Sequence, residues 1–263
     1  MNHLSLAVKN LRRRRGRTLL TITGVAIAVA VLFSLLAFDA GYEQSLNREM
    51  KGLGVHLLAV PKGCPYEAAS LILHGGVIPK YLSGDDLARV RALDGVELAA
   101  PMLLQQFVKN GTPHVVYGIQ GSDIPGLKPG WSVKGRFFSD GESRVMLVGS
   151  DLAAEEGLEV GSVLPFGKDR EPFTVVGILE RTGGQDDNFH FVPLAEAQRI
   201  FGLEGKITAI AVRLKDIGSI SDISTEMEQI PDIQVVTMAQ VQGTILSLVG
   251  SARTLILSVI VVA

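Results

Sequence analysis

The sequence predicts an α+β fold made of an N-terminal transmembrane helix, an extracytoplasmic domain of mixed strands and helices, and the start of a second transmembrane helix. Three observations carry this expectation. Thr18 to Phe38, TLLTITGVAIAVAVLFSLLAF, runs about 21 residues without a charge and as a helix would cross roughly 30 Å of hydrocarbon. From Val55 to Val236, strand and helix signals alternate at short intervals with hairpin turns among them, which favours α+β over a doubly wound parallel sheet. The chain then closes on the apolar run Leu255 to Ala263, whose helical rise of about 13 Å is less than half a bilayer. A second span that opens and stops mid-pattern reads as the front part of a longer membrane protein.

The first element is a basic helix. Leu4, Leu6, Ala7, Val8 and Leu11 recur at roughly helical spacing before the arginines, which suits an amphipathic helix on the inner leaflet. Lys9, Arg12, Arg13, Arg14, Arg15 and Arg17 precede the span, and Asp39 and Glu43 are the first charges after it. That bias places the N-terminus in the cytoplasm of a cell whose inner membrane holds the span. A cleaved signal peptide fits less well, because the apolar run is too long and Ala37 to Ala40 is a poor cleavage site. The expected segments are residues 1–17 as the cytoplasmic basic helix, 18–40 as the span, 41–240 as the extracytoplasmic domain, and 241–263 as a stalk and the opening of the second span.

Composition narrows the partners. The net charge of −2 hides an asymmetry, with basic residues gathered at the N-terminus and a mildly acidic remainder. A basic cluster against a span gains about 1 kcal/mol per residue from anionic lipid, so membrane lipid is the expected partner and nucleic acid is not. The single cysteine, Cys64, excludes an intramolecular disulfide, so core packing must hold the domain together.

Beyond Phe38 the polar stretch to Lys51 has no proline, and the helix is expected to continue as a stalk until Gly52 and Gly54 end it. Val55 to Val60 reads as a strand, followed by a loop-rich passage punctuated by Pro65, Gly75, Gly76 and Pro79. Ser83 with Asp86 three residues on opens a helix bearing Leu87, Val90 and Leu93 on one face. Val96 to Val108 and His114 to Ile119 read as a hairpin turning at Asn110-Gly111. Ser122 to Asp140, rich in glycine and proline around Trp131, reads as a long surface loop. Strands follow at Arg144–Val148, Ser162–Phe166, Phe173–Leu179 and Phe189–Val192, with a short helix at Ser150–Glu156. Pro193 suits a first helical turn, and LAEAQRIF runs to its stop at Gly202. A strand at Ile207–Leu214, a helix at Ser219–Gln229 and a strand at Ile233–Val236 complete the domain, after which Thr237 and Gln240 form a capping box for the return helix.

This layout resembles the FtsX/MacB-like permease family, the membrane subunits of ABC transporters that include lipoprotein-releasing and macrolide-exporting members. The residues that carry the resemblance are NLRRRRGRTLLTITGVAIAVAV, then SDLAAEEGLEVGSVLPF, FTVVGILERTGGQDDNFHFVPLAEAQRIFG and ITAIAVRL. The resemblance implies a MacB-like periplasmic core domain in a permease subunit, paired with a second permease copy or homologue and driven by cytoplasmic ABC ATPase subunits. ATP-driven closure would then move the exported domains through the stalk helices. A role also known in the family, recruiting and activating a cell-wall hydrolase, is the alternative.

No enzyme chemistry emerges. Gly161 to Asp169 misses the phosphate-loop spacing and carries an Asp where a magnesium ligand is required, so it reads as a turn between strands. Neither a nucleophile elbow nor an H-E-x-x-H zinc motif occurs, and no cofactor is expected. Cys64 and His74 are the candidate metal ligands, since thiolate and imidazole suit copper, zinc or haem iron, although two ligands do not make a site. Asp186, Asp187 and His190 offer a second cluster that converges only in a curled loop, because adjacent side chains of an extended segment point apart. Trp131, Phe137 and Phe138 either present an apolar contact surface or fill a satellite core.

Overall fold

A single helix, α1 (Arg15–Gly52), occupies the first 38 described residues and contains no proline to interrupt it. The computed structural model describes residues 15–52, 54–63, 80–109, 112–167, 169–237 and 240. The basic helix expected over residues 1–17 therefore lies almost wholly outside the described residues, as do Cys64, His74 and the return helix beyond Gln240. α1 runs to Gly52, and the next described residue is Gly54. Leu19, Leu20, Ile22, Val25, Ile27, Val29, Val31 and Phe33 are all exposed along it. Side chains at positions 28, 32, 35, 36, 38–40 and 42–52 are not described, and among the described residues no helix is long and apolar enough to cross a membrane. The chain divides into two compact units, Met1–Asn47 with Ile245–Ala263, and Arg48–Thr244.

The second unit begins with β1 (Leu57–Pro61), β2 (Leu82–Ser83), α2 (Gly84–Arg91), β3 (Val96–Lys109) and β4 (Thr112–Ile119). After these come α3 (Ile124–Leu127), β5 (Val133–Gly135), β6 (Val145–Val148), α4 (Ser150–Glu156), β7 (Val163–Phe166) and β8 (Glu171–Leu179). The last elements are β9 (Phe189–Pro193), α5 (Leu194–Phe201), β10 (Lys206–Ile207), β11 (Ala209–Leu214), α6 (Ile220–Glu228) and β12 (Ile233–Thr237). Among the described residues one sheet has the order β12-β1-β11-β3-β4-β9-β6-β8-β5, with β7 also on β8, while β2 and β10 pair separately. Only β4 with β9 and β6 with β8 run parallel; the other pairs are antiparallel. The α+β expectation therefore holds for the domain.

β3 is the spine. Its first half, to Met102, ladders with β11, and its second half, from Met102 to Lys109, ladders with β4. A core forms on each half. Leu57, Val212, Ile233 and Val235 of the first pack with Val90 of α2 and with Ile223 and Met227 of α6. In the second, Leu103, Val148, Phe173 and Val192 pack with Leu152 of α4 and Ala197 of α5. Each such side chain contributes about 1.5–3 kcal/mol on burial.

Local chemistry explains the boundaries. The Ser83 hydroxyl accepts the Asp86 N–H at 3.2 Å while the Asp86 carboxylate accepts the Ser83 N–H at 2.8 Å, the reciprocal capping box expected there. Lys109 pairs with Thr112, as a two-residue hairpin turn requires. α4 spans Ser150–Glu156 and stops at Gly157 in the left-handed region (φ 65°). Thr237 and Gln240 exchange hydrogen bonds at 2.9 and 3.1 Å, so the second capping box also forms.

Three expectations need correction. The strand read as Ile207–Leu214 is broken at Thr208, whose hydroxyl accepts the Leu104 N–H and donates to the Met102 carbonyl, taking the place of a ladder bond. The stretch 122–140 is no surface loop. It carries α3 and β5 and lays Ile124, Leu127 and Phe138 against the sheet, each at most 2% exposed. Pro193 also shifts by one position, ending β9 and standing at the N-cap of α5.

Candidate functional site

The segment between β8 and β9 is closed by one carboxylate. Asp187, 1% exposed, accepts from the Thr182 N–H and hydroxyl at 2.9 Å each and from the Gly183 N–H at 2.8 Å. Gly183 takes the positive φ (77°) that this tight turn needs. The segment is seated on the start of α4 at Gly149, where any Cβ would collide with the backbone oxygens of Asp186 and Asp187.

Asp186 faces the other way. Its carboxylate accepts from Lys128 Nζ at 2.7 Å and from Trp131 Nε1 at 3.1 Å. Lys128 also lies 5.4 Å from the Trp131 ring centroid, and that ring meets Phe191 edge-on at 4.6 Å. Behind them Tyr117 is buried, and burial, reinforced by the Asp186 charge, pushes its hydroxyl far above the ordinary tyrosine range. It stays protonated and donates to Met102 Sδ at 2.8 Å.

His190, two residues after this segment on β9, is 1% exposed and sits among Phe166, His114 and Phe107, at ring-centroid distances of 5.0, 5.6 and 6.0 Å. Asp186, Asp187 and His190 thus face three different surroundings, and among the described residues no group of three or more His, Cys, Asp or Glu could hold a metal. The carboxylates serve the architecture instead. Of the three aromatic residues expected either at a contact surface or in a satellite core, Phe138 is buried and Trp131 meets the Phe191 ring, while Trp131 and Phe137 are only partly buried. Of the arginines expected to anchor the chain, Arg15 and Arg17 stand exposed in the first turn of α1, while Arg12, Arg13 and Arg14 lie outside the described residues.

A charge network escaped the sequence reading. Arg199 donates to both oxygens of Glu171 at 2.7 and 2.9 Å and to Glu196 at 3.0 and 3.1 Å. Arg144 adds its backbone N–H to Glu196 and its Nε to Glu171. Hydrogen bonds from Arg199 hold Glu171 below the usual carboxylate range. Burial pushes Glu196 up, but the bonds from Arg199 and the Arg144 backbone more than offset it. These contacts also hold Arg144 at φ 55°, a conformation uncommon outside glycine. The signal that could have pointed to it is the spacing of Glu196 and Arg199, three apart on one helix.

Residues 18–230 match the MacB-like periplasmic core domain. The chain belongs to this family of ABC transporter permeases. It is 25% identical over 274 residues to an uncharacterised ABC transporter permease of Methanocaldococcus jannaschii, covering 94% of this chain and 64% of that one. It is 23% identical over 253 residues to the macrolide export ATP-binding/permease protein MacB of Bdellovibrio bacteriovorus, covering 88% of this chain and 37% of that one. The periplasmic region of MacB from Actinobacillus actinomycetemcomitans matches with a TM-score of 0.53 at 16% identity, over 74% of this chain and 95% of that one. The extracellular domain of the ABC-type transporter YknZ from Gram-positive bacteria matches with a TM-score of 0.51 at 17% identity, over 69% and 98%. The MacB-like domain is therefore both the sequence family and the fold.

Proposed function

We propose that the chain is a permease subunit of an ABC transporter, in which α1 spans the inner membrane and the β1–β12 domain lies outside the cytoplasm. A separate cytoplasmic ATPase drives a pair of such permeases, and the domain handles substrate through motion delivered by the helices. The observation that carries this reading is the register of β1 on β12, where Leu57 lies opposite Thr237. The strand that follows α1 and the strand that leads into the Thr237–Gln240 cap are therefore neighbours with those ends together. A domain hung on two helices from one membrane face needs this arrangement. The eight exposed aliphatic and aromatic side chains of α1 support the span, since leaving them in water would cost on the order of 10 kcal/mol. The names of the relatives favour transport over the recruitment of a hydrolase.

The test is topological. With Cys64→Ser as background, Lys134→Cys in intact cells is expected to react with a membrane-impermeant maleimide, and the chain to stay in the pellet after alkaline extraction. Labelling only after lysis would overturn the reading. Co-purification with an ATPase whose turnover responds to cargo tests the transport half.

A further inference from the structure

Gly54, two residues beyond the end of α1, is held on two sides. Its N–H donates to the Leu127 carbonyl at 3.1 Å, and a Cβ there would collide with the Gly126 carbonyl. On the sheet side the His56 N–H donates to the Val212 carbonyl at 2.8 Å, and His56 Nδ1 accepts the Leu214 N–H at 3.1 Å. That second bond occurs where a register shift between Arg213 and Leu214 disturbs the ladder to β3. Arg213 closes the joint by donating to the Gly126 carbonyl at 3.1 Å while pairing with Glu97 of β3.

The residue after Leu127 is Lys128, which reaches Asp186. Lys128 and Trp131 are themselves tied, the Trp131 N–H donating to the Lys128 carbonyl at 3.1 Å and the Lys128 N–H to the Ile124 carbonyl at 2.8 Å. From Gly54 to Asp186 the route is one backbone hydrogen bond, one peptide unit and one ion pair. Beyond Asp186 lies the Asp187-closed turn, seated on Gly149 at the start of α4 in the second core. The sheet offers a far longer route between the same points, through β1, β11, β3, β4 and β9.

We propose that the Gly126–Trp131 segment is a coupling strap: it ties the point where the chain leaves α1 to the Asp186 turn, so that a displacement entering at Gly54 reaches the second core without passing strand by strand across the sheet. In a transporter this would let helix movement be felt in the half of the domain remote from β1 and β12. That use rests on the permease reading, but the strap itself does not. It is a physical claim about two ends whose stabilities depend on each other, and such coupling is reciprocal.

The experiment reads both ends. Trp131 is the only tryptophan in the chain, so its acrylamide quenching reports the Asp186 end, and hydrogen exchange of the Gly54 amide reports the other. Asp186→Ala is expected to raise Gly54 exchange by about tenfold, and Arg213→Ala to open Trp131 to quenching. Glu142→Gln, which cuts an exposed pair with Arg136 elsewhere in the same stretch, should move neither. If Asp186→Ala loosens Trp131 while Gly54 exchange stays within twofold of the parent, the two ends are independent and the strap is overturned. Should Asp186→Ala fail to fold, Lys128→Met keeps the stem, removes the charge and is judged by the same two readouts. A domain found in the cytosol but still coupled would sink the permease reading and leave the strap standing.

Discussion

At Thr208 one buried hydroxyl joins two points of the spine strand, accepting from the Leu104 N–H at 2.9 Å and donating to the Met102 carbonyl at 3.0 Å. Thr208→Val keeps the shape but strands the Leu104 N–H, while the Met102 carbonyl retains the Thr208 N–H at 2.8 Å, so a loss of about 1–3 kcal/mol is expected in denaturant unfolding. Asp123 poses a different problem. Its Oδ2 is buried without a hydrogen-bond partner among the described residues, and the nearest cation, Arg91, is 4.0 Å away. Burial raises its carboxyl above the ordinary aspartate range, Arg91 opposes this, and the Asp140 charge adds to it. A raised folded-state value means stability that is full below the unfolded pKa and declines as pH rises through the folded one. Asp123→Asn is therefore expected to flatten the loss of melting temperature as pH rises above the ordinary aspartate range. A steeper fall in the variant would contradict this sign. Neither residue stood out in the sequence, because the partners of Thr208 lie about a hundred positions away and those of Asp123 come from α2 and from the far end of its own segment.

Among the elements, those governed by neighbours in sequence were legible. The caps at Ser83 and Thr237, the whole of α4 and the hairpin between β3 and β4 all follow from residues three or four apart or from a turn dipeptide. The stretch 122–140 was misread because its glycines and prolines signal turns, while its apolar residues are too sparse to show a period. Ile124, Leu127, Trp131 and Phe138 become a packing surface only when the sheet and Phe191 are brought beneath them. Trp131→Ala should cost about 2–4 kcal/mol, less than a fully buried tryptophan, through lost contact with Phe191 and loss of one of the two hydrogen bonds to Asp186, which keeps Lys128. Thermal unfolding checks this, and a loss under 1 kcal/mol would return the segment to the status of a surface loop.

At the scale of the whole molecule, two cores share one strand. β3 supplies Ala99 to the first and Leu103 to the second, so neither core can lose its strand without exposing the other. Leu103→Ala is expected to remove about 2–5 kcal/mol and to lower a single unfolding transition, because the damage is transmitted along β3. Two separated calorimetric transitions would show instead that the halves unfold independently. The same sharing gives the strap its purpose: a sheet of many strands distributes a local displacement, whereas a salt-bridged segment across it keeps two points in step.

What this sequence determined alone was whatever depends on short range and on composition. The charge-free run behind an arginine cluster, the caps, the helix stops, the hairpin and the α+β class were all readable, because each rests on residues within one or two turns of each other or on an average over many. Tertiary structure alone decided which strands pair, that Asp186, Asp187 and His190 part company, and that a glycine after α1 is bonded to a segment some seventy residues later. These are contacts between distant positions, whose chemistry is satisfied only when folding has already brought both partners together, so neither partner announces the other in the linear chain.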